Sequence, residues 1–246
     1  MKSLITLGAL STLLASLTAQ AQTGYPDEYV LRPLNVSAGM AQLRLPVVIN
    51  ASKGSAGKPI NIPPALEYGV SENLQVALYH VRGVCLGEKE VCDPVYNDVA
   101  FGLVYSFMTS GELQAVALAA VEAWDLKNTD QQPLKLHLPA GVGFKYISNP
   151  MSLTLEPQIV VALNHRGEGN DDEFRIPFEA AYQIDPQLAF FATSGLFGRD
   201  EWAVPIGFGL NFLLHHGLDV GGEFRLNNPK ETTDARQLIF YLNWRS

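Results

Sequence analysis

The sequence carries little charge, and beyond its first residues it lacks any long apolar run. Lys, Arg, Asp and Glu make up 17% of the 246 residues, whereas 47% are hydrophobic, which is lean in charge for a soluble domain. No later segment reaches the run of about 18 apolar residues that a membrane-spanning helix needs. The formal net charge of −8 argues against a nucleic-acid partner, because phosphate binding needs clustered Lys and Arg.

The beginning of the chain predicts export. Residues 1–21 contain Lys2, an apolar run and the motif Ala19-Gln20-Ala21, which is the layout of a cleaved signal peptide. Residues 22–40 show no clear period and are predicted to be an N-terminal lead-in in the periplasm, and residues 41–246 are predicted to form one domain. In an exported protein the two cysteines, Cys85 and Cys92, predict one disulfide that closes a small loop.

The clearest pattern is a period of two in residues 134–164, LKLHLPAGVGFKYI-SNP-MSLTLEPQIVVALN. Apolar side chains share one face and mostly polar ones the other, which indicates two strands joined by a tight turn. Each half is long enough for a tilted strand to cross a bilayer, and similar segments give about twelve strands in all. Residues 113–124, LQAVALAAVEAW, fit a helix by propensity, and only their place between two clear strands predicts a strand.

The connections between these segments alternate in length. Short ones (GVSEN, TSGE, SNP, DPQ and HHG) alternate with mostly longer and more polar ones, as in transmembrane barrels. The predicted fold class is therefore all-β: a closed antiparallel up-and-down transmembrane β-barrel with short periplasmic turns and longer extracellular loops. Alternation alone would also suit a lipocalin-like soluble barrel with its apolar face inward, but strand number, strand length and aromatic positions favour the membrane barrel.

Large aromatic side chains recur near the ends of the predicted strands, roughly one hairpin apart. Such positions are typical of the two aromatic girdles that flank the apolar band of a membrane barrel. The predicted girdle residues are Tyr68, Phe107, Tyr146, Tyr182, Phe212 and Trp244 at the short-turn end, and Trp124 and Trp202 at the other end.

The face opposite the apolar one is predicted to line the lumen. A Lys or Arg facing hydrocarbon at mid-depth would cost about 2 to 4 kcal/mol, so the charged side chains must point inward. The predicted lumen residues are Arg44, Glu67, Lys135, His137, Lys145, Glu156, Arg175, Glu179, Asp219, Glu223 and Arg225. They can line a narrow aqueous channel or pair across strands and plug the bore. Glycines on this face, among them Gly207 and Gly209, indicate either a partly open lumen or strand curvature and tight closure.

The signal peptide, the alternation and the C-terminal LIFYLNW make the chain resemble the outer-membrane β-barrel proteins of Gram-negative bacteria. In that class a last strand that ends on an aromatic residue is the assembly signal, so the resemblance implies insertion by the barrel-assembly machinery, with Trp244 at the aromatic position. Arg245 and Ser246 follow it and depart from the pattern. LRPLNVSAGM and PPALEYGVSENLQVAL are similar to the small barrels grouped with the meta-pathway phenol-degradation proteins, which implies outer-membrane transport.

Sequence patterns for catalysis are missing. No histidine begins the His-x-Ser pair of outer-membrane phospholipases, and there is no H-E-x-x-H. No catalytic residue and no cofactor are therefore predicted. The loop GEGNDDE gathers Asp171, Asp172 and Glu173, which form a candidate Mg²⁺ or Ca²⁺ site or else a solvated loop that divalent ions bridge to lipopolysaccharide.

These features predict a monomer in the cell outer membrane, in contact with membrane lipid and lipopolysaccharide. The predicted function is passive passage of a small-molecule solute through the polar lumen. The alternative prediction is a non-conducting structural or surface-interaction barrel, and the third is an outer-membrane enzyme.

Overall fold

The computed structural model describes residues 25–52, 59–87, 92, 97–127, 133–166, 170–198, 202–228 and 236–246, so the predicted signal peptide lies outside the described residues. One 3-10 turn, Tyr29–Leu31, precedes the strands, and the described part of the chain contains no helix long and apolar enough to cross a membrane. The strands are β1 (Ala41–Asn50), β2 (Ile60–Ile62), β3 (Ala65–Ser71), β4 (Leu74–Tyr79), β5 (Val84–Leu86), β6 (Asp98–Ser110), β7 (Leu113–Trp124), β8 (Lys135–Ser148), β9 (Met151–Leu155), β10 (Gln158–Ala162), β11 (Glu173–Gln183), β12 (Leu188–Gly198), β13 (Trp202–Ala203), β14 (Ile206–His215), β15 (Leu218–Leu226) and β16 (Arg236–Arg245).

These segments form twelve barrel strands, because four of the barrel strands are each broken into two segments. β2 continues into β3, β4 into β5, β9 into β10 and β13 into β14, and the members of each pair follow the same neighbouring strands. Three of the four breaks contain proline, at Pro63, Pro157 and Pro205. Proline has no N–H to donate to the ladder, so the pairing is interrupted there and resumes beyond it.

The sheet closes on itself through antiparallel pairs. The first and last strands, β1 and β16, pair from Gln42 opposite Arg245 to Asn50 opposite Gln237. On the far side, β11 pairs with β12, and consecutive strands pair around the rest of the ring. The predicted fold class, a closed antiparallel up-and-down barrel of about twelve strands, is confirmed.

The 134–164 hairpin shows how the alternation orients the wall. Phe144 and Tyr146 are 38% and 45% exposed, whereas Lys145 between them is 6% exposed. Lys145 lies opposite Thr154 of the next strand, and both line the interior cavity. The apolar side chains therefore face outward and the polar ones inward, which is the orientation of a membrane barrel and the reverse of a lipocalin-like one.

Residues 113–124 form a strand despite their helix propensity. β7 pairs along nearly its whole length with β6 on one side and β8 on the other. Its inward-facing Gln114 and Glu122 are buried, while Leu113 and Val121 on the opposite face are exposed. Two complete hydrogen-bonded ladders outweigh a propensity that amounts to a few tenths of a kcal/mol per residue.

Aromatic side chains lie on the outer face at the short-turn end. The exposed ones are Tyr68, Phe107, Tyr146, Tyr182 and Phe212, and Trp202 is exposed at the long-loop end. Their role as membrane girdles stays a prediction.

The prediction that Trp124 belongs to an outer girdle is wrong. Trp124 shares the inner face of β7 with Glu122, its indole lies 4.4 Å from the His137 ring, and the Arg82 guanidinium lies 5.3 Å from its ring centre. Trp124 therefore cannot belong to an outer girdle.

The predicted disulfide is present in the structure. Cys85 of β5 bonds to Cys92, and β5 pairs with β2 at the long-loop end of the barrel. The bond therefore anchors the beginning of a long connection whose residues 88–91 and 93–96 lie outside the described part of the chain.

Candidate functional site

The interior of the barrel holds a cavity of about 760 Å³ that is lined by charged, neutral polar and apolar side chains. Its lining runs from Asn35 and Val36 near the short turns to Pro63 and Pro205 near the long loops. Eight of the predicted lumen residues line it: Arg44, Glu67, Lys145, Glu156, Glu179, Asp219, Glu223 and Arg225. Strand alternation positions them, because each is flanked in sequence by outward-facing residues.

One group of these charges is fixed on β15 and its neighbours. The Arg225 guanidinium donates from Nε and Nη2 to the two Glu223 carboxylate oxygens at 2.7 and 2.9 Å. The Thr193 hydroxyl donates to Glu223 at 2.6 Å, and the Tyr241 hydroxyl also donates to this carboxylate. Glu223 is therefore held by three partners, Arg225 on its own strand, Thr193 on β12 and Tyr241 on β16, which fixes its position in the bore.

A second group of charges also lines the bore. Arg44 of β1 forms an ion pair with Glu67 of β3, and Arg44 also interacts electrostatically with Glu156, which lies in the break between β9 and β10. Lys145 of β8 interacts with both Glu156 and Glu179. Charges of both signs thus face the same narrow space, an arrangement that favours small polar solutes and water over apolar ones.

The N-terminal residues 25–40, predicted only as a periplasmic lead-in, lie inside the short-turn end of the barrel. The Val30 N–H donates to Gln183 at 3.3 Å, the Leu34 N–H to Gln114 at 3.1 Å and the Val36 N–H to Gln75 at 2.6 Å. These three glutamines are inward-facing residues of β11, β7 and β4. The segment, named here the N-terminal plug (residues 25–40), therefore crosses the mouth of the bore.

Side chains of the N-terminal plug reach the charged groups of the bore. The Tyr29 hydroxyl lies 3.0 and 3.1 Å from the Glu179 carboxylate oxygens, and its ring stacks on Phe191. Burial and the nearby Glu179 carboxylate raise the pKa of Tyr29 well above its ordinary value. Tyr29 therefore stays protonated at neutral pH and donates to Glu179. Lys145 donates from Nζ to the Arg32 carbonyl oxygen at 2.8 Å.

Gly69 is required where the N-terminal plug meets the wall. The Gly39 N–H donates to the Gly69 carbonyl at 2.8 Å, and the Gly69 N–H donates to Met40 at 3.0 Å. A Cβ at position 69 would lie 1.9 Å from the Ser37 carbonyl oxygen. Only glycine allows this close backbone approach, which adds backbone pairing to the side-chain contacts of the plug.

The space above two inner-face glycines is occupied by side chains rather than open. A Cβ at Gly207 would lie 2.1 Å from Glu223 Oε1, and one at Gly209 would lie 2.3 Å from Phe191. These glycines therefore make room for a carboxylate and a ring that narrow the bore. At these two positions the glycines allow tight packing and do not leave the lumen open.

The other three predicted lumen residues, Lys135, His137 and Arg175, point inward but lie apart from the cavity. Lys135 is 3.9 Å from Asp125, and His137 packs on Trp124. Arg175 lies 3.4 Å from Glu122 and 3.2 Å from Glu173. This network lies on the inner face near the long loops and joins β7, β8 and β11, which indicates a structural role there.

Two of the three carboxylates of the candidate metal site pair with other groups. Asp172 accepts from the Ala162 N–H at 2.9 Å and pairs with Arg166 at 3.1 Å, whereas Glu173 pairs with Arg175. Asp171, Asp172 and Glu173 do not form a metal-binding group in the structure; among the described residues no three His, Cys, Asp or Glu side chains lie together as such a group. Residues 167–169 of this loop lie outside the described part of the chain.

Several residues of the site were not predicted from the sequence. Glu122 and Tyr241 alternate with outward-facing Val121 and Phe240, so the strand period could have found them. Arg32 belongs to a segment without a period, and no sequence signal places it in the bore.

No protein-family model matches the chain, and neither does any curated protein. Similar solved structures exist. The KdgM porin matches with a TM-score of 0.60 at 5% identity, over 82% of this chain and 98% of that one. The NanC porin matches with a TM-score of 0.57 at 10% identity, over 84% and 98%.

An outer membrane channel from Pseudomonas putida F1, described as COG4313, matches with a TM-score of 0.57 at 11% identity, over 91% of this chain and 100% of that one. Identities this low establish the fold alone. The narrower resemblance to the phenol-degradation proteins receives no support from these structures and stays a prediction. The broader resemblance is confirmed: the chain has the fold of outer-membrane porins and channels.

Proposed function

We propose that this chain is an outer-membrane channel through which small polar solutes pass passively. The observation that carries the proposal is the cavity of about 760 Å³, which is lined by charges of both signs and runs between the short turns and the long loops. The shared fold with outer-membrane porins supports it. The KdgM porin has also been solved in complex with disordered oligogalacturonate, so a barrel of this fold can bind a solute.

Solute passage can be measured directly with proteoliposomes that contain the purified barrel. In an osmotic swelling assay, liposomes with the barrel should swell faster than empty ones, and the rate should fall steeply as the solute grows. The physical reason is that Glu223, Phe191 and the N-terminal plug narrow the bore. Swelling no faster than that of empty liposomes, for even the smallest solute, would contradict passive passage.

Ion selectivity should depend on the charges that line the cavity. Replacing Glu156 by Gln should shift selectivity toward anions, and Lys145→Gln should shift it toward cations, because each removes one charge from the same narrow space. The measurement is the reversal potential of a planar bilayer under a salt gradient. Lys135→Gln is the matched control: Lys135 lies near Asp125 and away from the cavity, so its effect should be much smaller. Equal shifts of the reversal potential for Lys135→Gln and Lys145→Gln would contradict the placement of Lys145, but not Lys135, in the cavity lining.

A second candidate function is a non-conducting structural or surface-interaction barrel. The observation that favours it is the N-terminal plug, whose hydrogen bonds to β4, β7 and β11 span the mouth. Four further proposals follow from the sequence. The chain has no catalytic activity, it is a monomer, it contacts lipopolysaccharide, and the barrel-assembly machinery inserts it.

A further inference from the structure

Two arginines share one carboxylate inside the short-turn mouth of the barrel. Arg32 of the N-terminal plug donates from Nη1 and Nη2 to the two Asp219 oxygens at 2.9 and 2.8 Å. Arg245, at the end of β16, places its Nη2 2.9 Å from the same Asp219 Oδ2. Asp219 is 0% exposed and Arg245 is 6% exposed, so all three charges are withdrawn from solvent.

The charges of this cluster do not balance. Two guanidinium groups face one carboxylate, and arginine stays protonated in proteins. The other acidic groups nearby do not neutralise the cluster, because the Asp27 side chain is 42% exposed and lies 2.8 Å from His216, and Glu67 pairs with Arg44. Burial raises the pKa of Tyr25, whose ring lies 5.2 Å from Arg245, so its neutral hydroxyl supplies no negative charge. One buried positive charge is left over, and such a charge is costly unless an anion compensates it.

Unused hydrogen-bond donors accompany the extra charge. Among the described residues, neither the Arg32 Nε nor the Arg245 Nε has a hydrogen-bond partner, although both atoms are buried. Both side chains line the interior cavity, as do the polar side chains of Gln42, Asn211 and Asn243. An anion that entered from the cavity would therefore meet two charged donors and neutral polar side chains around them.

We propose that Arg32 and Arg245 form a binding site for a small anion, such as a halide or the carboxylate of a small solute, at the short-turn mouth. The bound anion compensates the positive charge that Asp219 leaves unpaired. As a binding site it does not require the barrel to conduct. Its further role, favouring solutes that carry a carboxylate as they pass the mouth, rests on the proposed channel function.

Bromide is a suitable probe because it scatters X-rays anomalously. Crystals of the mature barrel soaked in sodium bromide should show an anomalous peak within hydrogen-bonding distance of the Arg32 and Arg245 donors, and sodium acetate added in competition should weaken it. Arg245→Gln and Arg32→Gln each leave one arginine for Asp219, so either change should abolish the peak. Arg32 lies outside the strands, so Arg32→Gln serves if Arg245→Gln prevents barrel assembly.

Arg225→Gln is the matched control, because Arg225 also lines the cavity but is paired with Glu223; the bromide peak at Arg32 and Arg245 should persist in it. The proposal is overturned if the wild-type barrel shows no peak there, or if the peak survives in either Arg32→Gln or Arg245→Gln. A peak in a barrel that does not pass solutes would support the anion site while contradicting the channel function, so the two proposals can fail separately.

Discussion

Deleting residues 25–37 from the mature chain should raise the single-channel conductance severalfold. These residues occupy the short-turn mouth, where Val30, Leu34 and Val36 donate backbone hydrogen bonds to glutamines on three different strands. Their removal leaves β1, which begins at Ala41, and every other barrel strand intact. A wider bore conducts more ions because the narrowest section limits the current. The measurement is the step size of single channels in a planar bilayer.

A variant in which residues 25–37 are replaced by a Gly/Ser sequence of equal length is the matched control for chain length. It lacks Tyr29 and Arg32 and therefore the contacts to Glu179 and Asp219. We expect its conductance to lie above that of the wild type, with larger current noise, because a flexible tether samples the mouth without binding there. Equal step sizes for all three proteins would show that the N-terminal plug does not limit the bore.

Replacing Asp219 by Ala should cost about 3 to 5 kcal/mol of unfolding free energy, which is the range for breaking a buried ion pair. Asp219 is the shared partner of Arg32 and Arg245, so its loss leaves two guanidinium groups facing each other with no carboxylate between them. The same change should release the N-terminal plug, because Arg32 loses both of its bonds to Asp219. The measurement is urea-induced unfolding of the barrel in lipid vesicles.

Asp172→Ala is the control for this prediction. Asp172 pairs with Arg166 at 3.1 Å, but the two side chains are 56% and 59% exposed, and exposed pairs contribute about 1 kcal/mol or less. Both substitutions remove a carboxylate that lies close to an arginine. The two sites differ in burial and in partners, because Asp219 meets two arginines, whereas Asp172 meets Arg166 and the Ala162 N–H. Comparable losses for both variants would contradict the account of the short-turn mouth as a buried charge cluster.

The orientation of the barrel wall could be predicted from sequence because strand periodicity has a direct physical meaning. Once Phe144 and Tyr146 face lipid, Lys145 between them has to face inward. Glu179 and Glu223 alternate with outward-facing residues in the same way, and both lie in the bore. Pairing with two neighbours likewise explains why the alanine-rich β7 is a strand.

What the sequence could not predict depends on contacts between distant residues. Residues 25–40 have no period, and their place in the bore follows from partners such as Asp219, 187 residues away from Arg32. Trp124 resembled a girdle residue by its place at a strand end, but the inner face of β7 and the contact with His137 decide its direction. Arg245 looked like a departure from the assembly pattern, whereas the structure gives it a buried partner in Asp219.

Single-channel recording of the wild-type protein in a planar bilayer shows directly whether the barrel conducts. We expect discrete conductance steps that are small, because side chains and the N-terminal plug narrow the bore. A barrel that inserts into the bilayer as judged by protease protection, yet produces no steps in the wild type or in the variant lacking residues 25–37, would contradict the claim that the cavity is a path for solutes.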